Sequence, residues 1–227
     1  MKRGFTILAI VTGLLLSFGL YEALVAAPTE RTMGDVQRIF YYHVPSAWTA
    51  FLLFLINFVA SVVYLIRRDQ KSDILALVSA EVGVVFCTVV LVTGPIWARP
   101  VWGIWWTWDL RLTLTLVLWL IYVSYLVLRR FSTSSQTPVL AAVVAVFGAL
   151  DVPLVYFSIW FFRTQHPSPV IGNGGSLDPR MAHVLLINWA AFLCLAWLVC
   201  WTRYLLEVAE REIHEAEALE SLQEASR

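Results

Sequence analysis

Apolar residues run through the chain in long blocks, and polar residues gather in the short segments between them. A helix that crosses a bilayer needs about 20 mostly apolar residues. Six blocks approach or exceed that length: residues 5–27, 45–66, 74–96, 112–128, 139–162 and 181–204, the fourth being the shortest. No soluble domain fits between them, and no internal repeat relates them. The pattern predicts an all-α, polytopic membrane protein with six transmembrane helices over residues 1–204, followed by an acidic helical tail over 205–227. The tail carries Glu207, Glu210, Glu212, Glu215, Glu217, Glu220 and Glu224, as expected of a solvated helix. Residues 1–27 also have a basic start and end in Val25-Ala26-Ala27, in the manner of a secretory leader. The apolar run is longer than the usual leader core of about 7–15 residues, so it is expected to remain as the first span.

Composition supports a membrane protein. Of the 227 residues, 59% are hydrophobic and only 14% charged, with a mean hydropathy of +0.73. Sixteen basic residues balance sixteen acidic ones, so no overall field points to nucleic acid. Cys87, Cys194 and Cys200 lie in apolar runs and form neither C-x-x-C nor C-x-x-C-H, which argues against a thiol oxidoreductase or an attached c-type haem. The G-x-x-x-x-G-K-[ST] signature of nucleotide hydrolysis is missing as well. With six spans both termini share a side, and that side holds ten Lys and Arg against six on the other. The imbalance places both termini in the cytoplasm.

The polar chemistry gathers in three outward loops, residues 28–44, 97–111 and 163–180. The middle loop reads W-A-R-P-V-W-G-I-W-W-T-W-D-L-R and holds Trp97, Trp102, Trp105, Trp106 and Trp108. A short helix opened by Pro100 would place Trp102, Trp105, Trp106 and Trp108 on one side, with Asp109 set among them. Interfacial belts account for isolated tryptophans such as Trp48, Trp119 and Trp160, but poorly for four within seven residues. The arrangement predicts a flat aromatic shelf for a large planar ligand. Asp109 is also suited to cap the following span. His43, before Pro45, and His166, before Pro167, are expected on loop edges at the same interface. Neutral imidazole is an axial ligand of haem iron, and arginine binds carboxylates such as the haem propionates. Arg38, Arg99, Arg111, Arg163 and Arg180 lie on that side, with Arg38, Arg99 and Arg111 the chosen candidates. Glu81 and Asp151 fall within apolar spans, where acids are costly. They are read either as lining a transport path or as protonated, hydrogen-bonded groups near a proline break.

The stretch from Trp97 to Thr113 resembles the tryptophan-rich signature of the haem-handling proteins of cytochrome c biogenesis. Within that superfamily the chain is similar to the cytochrome c maturation protein C (CcmC) branch, also called haem exporter protein C. R-I-F-Y-Y-H-V-P-S-A-W at Arg38–Trp48 is similar to the family's first histidine motif, and V-T-G-P-I-W precedes the signature as expected. Trp-Asp is followed here by R-L-T, whereas larger relatives continue with Pro-Lys-Glu. Ala98 and Arg99 stand where Gly and Lys are expected, which keeps the basic charge.

The resemblance implies a six-helix bundle of the bacterial inner (plasma) membrane that is not an enzyme. It implies a periplasmic site holding haem b between His43 and His166, with His183 a nearby competitor for the second position. It further implies partners: a membrane-anchored haem chaperone (cytochrome c maturation protein E), ABC transporter ATPase and permease subunits (proteins A and B) and a small single-span subunit (protein D), besides the lipid bilayer. A permease-like subunit that transports haem or another solute is the alternative. A cytochrome b-type electron-transfer protein would need histidines deep in the spans, and none is placed there.

Overall fold

The computed structural model of the chain describes residues 2–167 and 177–225, among which there is no β-strand. Helix α1 spans Lys2–Tyr21 and widens into a π turn at Glu22–Ala26. A 3₁₀ turn, Asp35–Ile39, leads into α2, Phe40–Arg67. Then follow α3, Gln70–Trp102, α4, Leu110–Phe131, α5, Thr137–Ala149, α6, Asp151–Phe161, and α7, Pro179–Ala225. Six helical stretches are long and apolar enough to cross a membrane, α5 and α6 together forming the fifth. The protein is an all-α polytopic membrane protein. The end of the bundle where α1 starts and α7 finishes is called here the terminal end, and the opposite one the loop end.

Several boundaries differ from those the apolar pattern predicts, and capping explains why. Between α2 and α3 the chain turns in two residues. Arg68 is left-handed (φ 58°), and Asp69 caps α3 by accepting from the Ser72 N–H at 2.9 Å. At the loop end α3 runs through both Pro95 and Pro100 and stops at Trp102, because Gly103 adopts φ 80° and returns its N–H to the Arg99 carbonyl at 3.0 Å. Pro100 therefore closes a helix instead of opening one. Pro45 likewise lies inside α2, not at its start. The residues after Tyr204 continue α7 without a break, and every described side chain from Glu212 onward is exposed.

Helix α2 packs along α3, α5 and α7, while α1 packs on α7 and α4 packs on α3, α5 and α6. Lipid is as apolar as leucine, so close packing holds such helices together more than burial does. Small residues make that approach possible. Gly83 faces the Phe54 ring, and an added Cβ would lie 2.7 Å from its Cε1. Phe54 in turn stacks on Tyr122, ring centres 3.9 Å apart and planes 11° from parallel. Ala141, Ala145 and Gly148 give α5 a small-residue face at this core. Polar side chains link other pairs: Asn57 donates to the Ala76 carbonyl at 2.7 Å, and Asn188 of α7 to the Gly19 carbonyl of α1 at 3.2 Å.

The terminal end is riveted by ions. Asp73, 4% exposed, takes both terminal nitrogens of Arg129 at 2.6 and 2.8 Å and Nη2 of Arg211 at 2.8 Å, joining α3, α4 and α7. Glu81 accepts Nε and Nη2 of Arg203 at 2.9 and 3.1 Å. Asp151 begins α6 just past the Leu150 break, buried, with Oδ2 lacking a chain partner. Trp119, expected in an interfacial belt, lies within α4 and donates Nε1–H to the Thr88 hydroxyl of α3 at 2.8 Å.

Removing the carboxylate in Asp73→Ala strands Arg129 in the interior and should cost about 3–5 kcal/mol. Glu81→Gln breaks a pair whose members are about 30% exposed, and should cost no more than about 1 kcal/mol. Thermal unfolding of the two variants in detergent measures the contrast. By the same assay Gly83→Ala should lose about 1–3 kcal/mol through overpacking. Gly13→Ala, where nothing lies within 4 Å of an added Cβ, should lose none.

Candidate functional site

Two histidines separated by 123 positions in sequence meet at the loop end. His43 stands in the first turns of α2, not on a loop edge, because the 3₁₀ turn at Asp35–Ile39 starts the helical rise well before Pro45. His166 sits in the short segment after α6. Their ring centres are 6.5 Å apart, with planes 33° from parallel. His43 lies against α3: its Nδ1 is 2.8 Å from the Thr93 hydroxyl, and its Cε1 would be 3.5 Å from a Cβ at Gly94. His166 donates Nδ1–H to the Pro167 carbonyl at 2.9 Å, since a carbonyl only accepts. His183 is exposed on α7.

Asp109 organises this end. As the N-cap of α4 it accepts from the Leu112 N–H at 3.0 Å, which bears out the capping expectation. Its other oxygen accepts from Thr107 at 3.3 Å, from the Thr164 hydroxyl at 2.9 Å and from the Gln165 N–H at 3.3 Å. Thr164 then accepts the His166 N–H at 3.1 Å. One carboxylate therefore ties the start of α4, the tryptophan segment and the His166 segment together.

Arg111 lies within electrostatic reach of both histidines, and its buried Nη1 has no acceptor among the described residues. Burial first, and the Arg111 charge second, push the His166 imidazole down to about 4 from its usual 6.5. The imidazole therefore stays neutral at physiological pH. Arg38 is engaged within the first loop, reaching the Ala23 carbonyl at 2.8 Å, Asp35 at 3.1 Å and Thr29 at 3.4 Å. Arg99 donates to the Gly103 carbonyl at the end of its own helix.

The tryptophan segment is not the helix its pattern predicts. Gly103 ends α3 and Asp109 starts α4, so the residues between are non-helical and no helix face arranges the indoles. Instead Trp97 packs edge-on against Trp102 with centres 5.1 Å apart, and Trp106 against Trp108 at 5.7 Å. Trp105 and Trp108 are 58% and 76% exposed, while Trp106 Nε1 is buried without a partner. Thr93, Thr164 and Gln165 escape a sequence reading. The one signal for Thr93 is a lone hydroxyl within V-T-G-P, and nothing marks the other two.

Comparison with known proteins bears on the family of the chain. The family model described as heme exporter protein C matches residues 1–219. The chain is 36% identical over 191 residues to Heme exporter protein C of Bradyrhizobium diazoefficiens, covering 83% of this chain and 72% of that one. It is 31% identical over 186 residues to Heme exporter protein C of Escherichia coli K12, covering 82% and 75%. A putative cytochrome c biosynthesis ccmC-like mitochondrial protein of Marchantia polymorpha is 31% identical over 182 residues, covering 80% and 78%. A match across nearly the whole bundle, including both histidine-bearing segments, makes this chain a member of the heme exporter protein C family.

Proposed function

We propose that the protein binds haem b at the loop end of the bundle and presents it for covalent attachment to a membrane-anchored haem chaperone during c-type cytochrome maturation. The observation that carries this reading is the pairing of His43 with His166. With ring centres 6.5 Å apart, the two imidazoles stand close enough that both could hold one haem iron. In both rings Nδ1 is engaged by the protein, which leaves Nε2 for iron.

The surroundings fit the rest of the ligand. Arg111 offers a buried N–H that no chain atom accepts, suited to a propionate, and Trp106 offers a second. Arg38 and Arg99 would have to share donors already used within the chain. The exposed Trp105 and Trp108 provide ring faces at the rim. Haem brings its own chemistry, and the protein supplies ligation and orientation. The ten-to-six distribution of basic residues puts the termini in the cytoplasm and this end in the periplasm. The acidic tail of α7 then projects on the cytoplasmic side. The family resemblance implies work alongside an ABC transporter's ATPase and permease, a small single-span subunit and the chaperone, and relatives named for heme export and cytochrome c biosynthesis support a role in such an assembly. The alternative of solute transit finds no support at Glu81, whose carboxylate is closed by Arg203.

Purified protein should show a low-spin, bis-histidine visible spectrum. His43→Ala and His166→Ala should each lose it, whereas His183→Ala should keep it. Haem retained unchanged in both of the first two variants would rule out axial ligation by this pair.

Acid should act late. A free histidine takes up its proton near 6.5, but folded His166 resists until about 4. The unfolded chain thus binds a proton that the folded one refuses between those values, and stability falls on acidification across that interval. Ligation requires the neutral ring. Haem loading should therefore hold from neutral pH to about pH 5 and fail near pH 4, as a spectrophotometric titration would show.

A further inference from the structure

Thr93 lies on α3, fifty residues from His43 in sequence, and none of its neighbours in the V-T-G-P run carries a polar side chain. Its hydroxyl has one proton and two lone pairs. Thr93 Oγ1 sits 2.6 Å from the Val89 carbonyl oxygen, a contact that would be repulsive unless the hydroxyl proton lies between the two oxygens. The proton is thereby spent on the helix's own backbone. Toward His43, at 2.8 Å, the hydroxyl can only accept, so the imidazole must donate Nδ1–H.

The same helix contains an internal control. Thr88, one and a half turns earlier, donates to the Val84 carbonyl at 2.7 Å and receives Trp119 Nε1 at 2.8 Å. Indole nitrogen is a donor only, so the direction of that bond is unambiguous. Two threonines of α3 therefore use one device, anchoring the hydroxyl on a carbonyl and turning its lone pair toward a ring N–H. His166 reaches the same tautomer through the Pro167 carbonyl.

We propose that Thr93 is a positioning residue, which holds His43 in the Nδ1–H tautomer and so presents Nε2 as the iron-binding nitrogen. This deepens the reading of His43 and His166 as a haem-binding pair and rests on it for its purpose. The tautomer itself does not depend on haem being bound. Outer hydrogen bonds of this kind orient a metal-binding ring and set its basicity, and losing one commonly costs about 10–100-fold in affinity.

The test uses the full-length protein in detergent. With ¹⁵N-histidine labelling and haem absent, His43 should resonate as the Nδ1–H form in the wild type and in Thr93→Ser. In Thr93→Val, which keeps the side-chain shape and removes the acceptor, that preference should be lost. Titrated with haem, Thr93→Val should bind about 10–100-fold more weakly with a shifted reduction potential, and Thr93→Ser should restore both. A wild-type His43 protonated on Nε2 would overturn the proposal, as would Thr93→Val with unchanged tautomer and affinity. If no variant, wild type included, binds haem, the haem reading fails, while the nitrogen resonances still decide the role of Thr93.

Discussion

The carboxylate of Asp109 joins three pieces of chain at the loop end. Its two oxygens accept from the first turn of α4, from Thr107 in the tryptophan segment, and from Thr164 and Gln165 beside His166. The His166 segment is short and non-helical, so its backbone donors find no partners in a helix of their own. Asp109 supplies the acceptor and Thr164 passes the restraint on to the His166 N–H. Since α4 is packed against α3, α5 and α6, fixing the loop to its N-terminus fixes it to the bundle.

The two ends of the molecule handle buried charge in opposite ways. At the terminal end the buried Asp73 and the part-buried Glu81 draw in Arg129, Arg211 and Arg203. Cross-linking of this kind locks α3, α4 and α7. At the loop end Arg111 and Trp106 keep buried donors that no described residue answers. Unpaired buried donors cost free energy, and a protein retains them where something else completes them. A rigid end beside an incomplete one is the expected build of a scaffold that holds a charged ligand for a partner.

Helix α3 connects the two. It carries Asp73 at one end, Gly83 under the Phe54–Tyr122 stack at mid-depth, then Thr88 and Thr93 facing Trp119 and His43, and finally Trp97 and Trp102. Its two prolines, Pro95 and Pro100, both lie near the loop end. The ion network, the packed core and the histidine contact thus share one rod of backbone.

Length and hydropathy determined the number of spans, because a bilayer of fixed thickness demands a fixed run of apolar residues. The tryptophan segment, His43, His166 and the capping role of Asp109 were also legible, because an aromatic cluster and isolated histidines are rare against an apolar background. What could not be read locally was pairing across the fold. Nothing near Asp73 announces Arg129 or Arg211, nothing near Glu81 announces Arg203, and nothing near Thr93 announces His43, because each partner lies on another helix. The expected helical arrangement of the indoles failed for a related reason: Gly103 takes a left-handed conformation that ends α3, and backbone geometry overrules the side-chain period. Spacing along the chain decides which residues can reach the loop end, and only the packing of helices decides which of them meet there.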